Sequence, residues 1–137
     1  MWDNRARRSD KLRARGDDGD TVLLISDLGR GTWDEAPIRL KGCFAPERGK
    51  AGYAESAKFL DLAMSEVEER ARAHKIRWPF VVVTEKNTNP EPDERRSLVR
   101  YIGTIYAADT GECINEDVTA FLASHPEWSR GTGGGDE

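Results

Sequence analysis

No stretch of this 137-residue chain approaches the roughly 18–20 consecutive apolar residues needed to span a bilayer, so no membrane-crossing helix is expected. Cysteine is scarce. Cys43 and Cys113 allow one bridge at most and have no metal-site spacing, which excludes a disulfide scaffold or a zinc module. The arginine-rich start has no apolar core of the kind a secretory signal carries, so the expected setting is the cytoplasm. Only two histidines are present, His74 and His125, and neither has a partner at ligand spacing; both read as surface residues. A net positive charge is also lacking. The total is −4, with +4 in residues 1–15 and −8 in the remainder. An acidic body of this kind excludes a strong non-specific nucleic-acid binder, but not an enzyme that engages nucleic acid locally.

What is present suits one globular domain. Hydrophobic residues make up 37% and charged residues 34%, polar but above the disordered range. The expected organisation is a basic segment over 1–11, a domain over 12–128 and a Gly-rich flexible tail over 129–137. Residues 3–17 are too charged for a buried element, and at most form an edge strand in which Leu12 and Ala14 alternate between charges. Thr21–Ser26 is a compact β-type run after the Asp17-Asp18-Gly19-Asp20 turn. A loop is expected between Leu28 and Pro37, followed by a short strand over Ile38–Leu40. From Tyr53 to about His74, Ala57, Leu60, Met64, Val67 and Ala71 recur at helical spacing, with Glu66, Glu68 and Glu69 assigned to the outer face. Phe80–Thr84 and Val99–Tyr106 read as strands flanking a loop at Asn87–Asp93, and a short helix begins near Asn115 and stops at Pro126. Cys43 reads as a small core hydrophobe, and Trp78, Phe80 and Tyr101 as core residues. Strands, helix, strands, helix is the order of a bent antiparallel barrel with helices packed on it, mainly β within the α+β class.

Several motifs occur in a telling order. Asp18-Gly-Asp-Thr21 precedes a strand, Ile38-Arg-Leu40 ends the next, and Ala45-Pro-Glu47 follows. Then come Gly52-Tyr-Ala-Glu55 at a helix entry, Leu98-Val-Arg-Tyr101 with Thr104-Ile-Tyr106, and Ile114-Asn-Glu116. Over about residues 12–124 this series resembles the staphylococcal nuclease family. The resemblance implies a five-stranded OB-type barrel with packed helices and metal-dependent hydrolysis of DNA or RNA phosphodiesters. By motif, Arg39 and Arg100 match the family's catalytic arginines and Glu47 its catalytic glutamate. Asp20 matches a calcium ligand, Ala45 the residue offering a backbone carbonyl, and Asp18 an acidic neighbour of the metal; Glu47 also faces the metal. Such a set has a clear use. A divalent cation offsets the negative charge of the phosphodiester, a carboxylate orients and activates water, and guanidinium forks stabilise charge on the phosphate oxygens.

Two departures stand out. Phe44 occupies the place where the family has Asp or Asn, so one oxygen ligand is missing and magnesium or manganese becomes an alternative to calcium. On this reading, Phe44→Asp should tighten metal binding. Ser97 and Leu98 stand where the family has a phosphate-gripping lysine and tyrosine. Taken singly, Asp18 and Asp20 are ordinary turn formers, Glu47 suits a helix start, and arginines on strands are commonly surface residues. The rival readings are a barrel that binds nucleic acid or protein without cleaving, and an assembly or inhibitory interaction protein. The default oligomeric state is a monomer, and the compact design with its Gly-rich end fits a phage or prophage gene acting in the host cytoplasm.

Overall fold

The first strand of the sheet is built from a segment that reads as too charged to be buried. The computed structural model describes residues 2–10, 19–86 and 101–128. In chain order the elements are β1 (Trp2–Arg8), β2 (Thr21–Gly29), β3 (Thr32–Leu40), α1 (Tyr53–Ala73), β4 (Phe80–Lys86), β5 (Tyr101–Ala107) and α2 (Ile114–Ala123). The class is α+β, with more strands than helices. Leu12, Ala14, the Asn87–Asp93 loop, residues 97–100 and the Gly-rich tail lie outside the described residues.

β1 corrects the expectation of a basic head outside the domain. It pairs antiparallel with β2, placing Arg8 opposite Leu24, and with β4, placing Ala6 opposite Phe80. The sheet runs β1-β2-β3-β5-β4 and closes on itself, so β1 is the closing strand and not an edge. Among the described residues only β3 and β5 pair in parallel, through Ile38–Leu40 against Tyr101–Gly103.

The expected loop between Leu28 and Pro37 is also corrected. Gly29 pairs with Thr32 across a two-residue turn, in which Arg30 and Gly31 both have left-handed backbone (φ 57° and 76°). Two successive positive-φ residues give the hairpin turn whose twist matches the strands it joins. Beyond the turn, Thr32–Asp34 are exposed and Glu35–Pro37 half-buried, so no apolar alternation marks this part of β3 as a strand. Among the described residues the β3–β5 ladder starts only at Ile38, so Pro37 sits where its missing N–H is tolerated.

α1 matches the periodicity read from sequence. Its buried residues are Ser56, Ala57, Leu60, Met64, Val67 and Ala71, one stripe facing the barrel. At its C-terminus Lys75 takes φ 57° and the Ile76 N–H donates to the Ala71 carbonyl at 2.8 Å, which ends the helix in a reversed turn. The core joins Leu24, Ile38, Leu40, Phe80, Val82 and Ile105 of the barrel to Leu60, Met64 and Val67 of α1 and Ile114 and Val118 of α2. Trp78, Phe80 and Cys43 are buried, as their sequence context implies, and Tyr101 packs against the core. Both cysteines are free. Among the described residues no helix is long and apolar enough to cross a membrane.

Two polar residues hold the layers together. The Arg8 side chain, 1% exposed, donates to Glu68 (2.6 and 2.8 Å), Asp61 (2.7 Å) and Ser65 (3.1 Å) on α1. Asn115 opens α2 by donating to the Lys41 and Gly103 carbonyls and accepting from the Ile105 N–H, at 2.9–3.0 Å.

Candidate functional site

The antiparallel register of β2 and β3 sets Thr21 opposite Arg39, so the start of one strand and the end of the other meet at one end of the barrel. Asp20 lies at this end, with its carbonyl accepting from the Leu40 N–H at 2.7 Å. Its carboxylate is held on both oxygens. Oδ1 accepts from the Thr21 hydroxyl at 3.2 Å, and Oδ2 accepts from the Ala45 N–H at 3.2 Å. Arg39 brings Nη2 to 3.7 Å from the same Oδ2, with both side chains nearly buried. β3 alternates Ile38 and Leu40 into the core, so the intervening Arg39 projects outward beside Asp20.

Asp20 is kept in register by the turn before it. A Cβ at Gly19 would sit 2.5 Å from the Ser56 Cβ and 2.9 Å from the Ala45 Cβ, so the backbone there lies directly against the start of α1 and the post-β3 loop. Gly19-Asp20 and Ala45, the latter 25 residues beyond Asp20, are thereby packed against each other.

Of the residues marked by sequence, the structure brings together Asp20, Arg39 and Ala45. Ala45 contributes its N–H to the Asp20 carboxylate, in addition to whatever its carbonyl offers. Glu47 is exposed two residues further on, in a turn where the Lys50 N–H donates to its carbonyl at 3.0 Å. Asp18 and Arg100 lie outside the described residues. Among the described residues, no group of three or more His, Cys, Asp or Glu side chains is arranged to hold a metal ion.

Phe44 does not simply vacate a ligand position. It lines a cavity of about 410 Å³ with Leu122, His125, Pro126 and Trp128 at the end of α2. His125 is stacked on Trp128 at 3.9 Å and accompanied by Glu127 at 3.1 Å, so it is part of an aromatic cluster and not an isolated surface residue. Phe44→Asp would place a charge against this apolar wall as well as near the candidate site. Cys43, next to it, touches Thr119 and the Asn115 carbonyl, and burial pushes its thiol up to about 11. It is an inert core group at neutral pH.

Arg8 ties β1 to α1, and Asn115 ties α2 to Lys41 and Gly103 near the end of β3; neither role is apparent from sequence. Arg8 sits among other arginines in a charged run, and only Asn115's place at the start of a helix hints at its function. The chain matches no protein-family model, no curated protein and no solved structure. The Asp20–Arg39–Ala45 geometry therefore stands on its own contacts.

Proposed function

We propose that the protein is an OB-type barrel that hydrolyses phosphodiester bonds of DNA or RNA in a metal-dependent reaction. The observation that carries this reading is the meeting of Asp20, Arg39 and the Ala45 turn at one end of the barrel. The resemblance in sequence asks for that meeting, and residues 20, 39 and 45 come from three separate segments. The strand order β1-β2-β3-β5-β4, with a helix between β3 and β4, supports the OB-type assignment.

In this reading Arg39 offers its guanidinium fork to the non-bridging phosphate oxygens, where charge accumulates in the transition state. Asp20 orients Arg39 and is itself fixed by the Ala45 N–H, so the pair is set before substrate arrives. Glu47, exposed on the turn after Ala45, is in this reading the carboxylate that orients and deprotonates water. Arg100 supplies a second fork, and Asp18 with Asp20, Glu47 and the Ala45 carbonyl supplies oxygen to a divalent ion, calcium by resemblance. When bound, that ion would offset the charge of the phosphodiester.

The engagement of both Asp20 oxygens by protein donors favours a second reading, a barrel that holds a nucleic acid or protein partner without cleaving it. The experiment is cleavage of single-stranded DNA and RNA with calcium, magnesium, manganese or EDTA. Cleavage that EDTA abolishes, and that Arg39→Ala lowers by about 100- to 1000-fold, supports hydrolysis. Binding without cleavage under every condition supports the second reading. Neither binding nor cleavage removes hydrolysis and leaves only a protein partner for the second reading.

A further inference from the structure

The two helices leave an open groove on the side of the molecule where they pack together. Its floor is apolar. Phe59 and Phe121 stack with centroids 4.2 Å apart and planes 8° from parallel, and Leu62 of α1 stands 51% exposed beside them. The cavity measures about 550 Å³, and its rim is acidic, with Glu66 from α1, Glu112 from the loop before α2, and Asp117 from α2. Among the described residues the cation paired on this rim is Arg70, which reaches Glu112 at 3.5 Å and is also held by Asp109 at 2.9 Å.

We propose that this groove is a docking site for a cationic amphipathic helix of a protein partner, one apolar face of which covers Phe59, Leu62 and Phe121 while flanking lysines or arginines meet Glu66, Glu112 and Asp117. Charge complementarity selects this occupant. A phosphate backbone or an anionic lipid surface meets like charge on the rim, and an uncharged apolar segment leaves the carboxylates unanswered. A helix suits the shape, since a groove between two packed helices receives side chains at i, i+3 and i+4. The rim carboxylates also repel one another in the free protein, even with Arg70 beside Glu112. Burial, a hydrogen bond with Glu112 and the charges of Glu112, Glu116 and Glu66 together raise the Asp117 carboxyl to about 6. A cation seated on the rim offsets that repulsion and releases the proton. This inference is independent of the phosphodiesterase reading, because the groove shares no residue with Asp20, Arg39, Ala45 or Glu47.

The test uses the full chain and two synthetic 16-residue amphipathic helices with the same leucine face, one carrying lysines and the other glutamates. Binding is followed at pH 7 by calorimetry, with backbone amide shifts to map the contact. The lysine helix is expected to bind and perturb Phe59, Ala63, Ala120 and Phe121, while the glutamate helix does not bind. Leu62→Asn, which leaves the charge unchanged at a half-exposed position, should weaken binding by about tenfold, and so should Asp117→Asn. The bound peptide should also lower the pH at which the Asp117 carboxyl titrates. Equal binding to wild type and Leu62→Asn would mean diffuse charge attraction and overturn the groove. So would shifts confined to another face, or no binding of the lysine helix.

Discussion

A Cβ at position 19 would lie 2.5 Å from the Ser56 Cβ and 2.9 Å from that of Ala45, closer than real side chains approach. Gly19→Ala should therefore push the Asp20 turn off α1 and cost about 1–3 kcal/mol, read as a lower urea midpoint with an unchanged slope. A midpoint equal to wild type would show that the turn relaxes freely, and that Asp20 is less tightly held than its contacts suggest. Asp117 offers a test that depends on pH. Its folded-state carboxyl titrates at about 6, above the ordinary 3.8, because of burial first and then its acidic neighbours. The folded chain thus holds this proton more tightly than the unfolded chain does. The group's contribution to stability is fully present below about pH 4 and is lost as pH rises through 6. Asp117→Asn should raise the urea midpoint at pH 7–8 and lose that advantage as pH falls toward 4. A difference that stays constant from pH 4 to 8 would locate the effect in packing and not in charge.

At the scale of elements, α1 shows what is legible in a sequence and what is not. The stripe Ala57, Leu60, Met64, Val67 and Ala71 repeats at helical spacing, and the helix forms where that pattern runs. Glu68, assigned by sequence to the outer face, instead joins Asp61 and Ser65 in closing around Arg8 of β1. Charge on a long side chain says nothing about burial until its partners are known, and these lie 53–60 residues away. Burial draws down the pKa of the Arg8 guanidinium, and its hydrogen bonds and ion pairs with Glu68 and Asp61 more than reverse that, leaving it raised. Arg8→Met leaves two carboxylates facing an apolar group. The expected loss is about 3 kcal/mol in urea unfolding, toward the low end for a buried pair because Asp61 is about one-third exposed. Glu68→Gln in the same background should recover part of it. A loss no larger than a surface pair gives, about 0.5 kcal/mol, would mean water screens the cluster. The candidate site divides in the same way. Asp20, Arg39 and Ala45 are legible because short motifs carry them, but their hydrogen-bond partners are set by register between strands, which no local pattern reports.

Closure of the whole barrel rests on β1, the strand hardest to read from sequence. Asp3, Arg5 and Arg7 alternate with Asn4, Ala6 and Arg8, so over residues 3–8 the core-facing side offers one small apolar residue, Ala6. Hydrophobic patterning consequently places the domain boundary at residue 12, and a fragment starting there would be expected to fold. The pairing says otherwise. β1 alone joins β2 to β4, and without it the two strands are left as open edges over a core in which Phe80, Val82 and Leu24 are at most 1% exposed. Removing residues 1–10 also strips Arg8 from Asp61 and Glu68, leaving their charges gathered on the inner side of α1. Open edges favour pairing between chains, and an exposed core favours the same. The truncated chain should lose cooperative unfolding and near-ultraviolet signal, and sediment as oligomers. A synthetic peptide of residues 1–10 should restore part of the monomeric signal by supplying the strand in trans, whereas the same peptide with Arg8→Glu should not, because a third carboxylate would enter the cluster. If the truncated chain instead unfolds as one cooperative monomer with the full-length midpoint, β1 adds nothing to closure, and the boundary lies where hydrophobic patterning puts it.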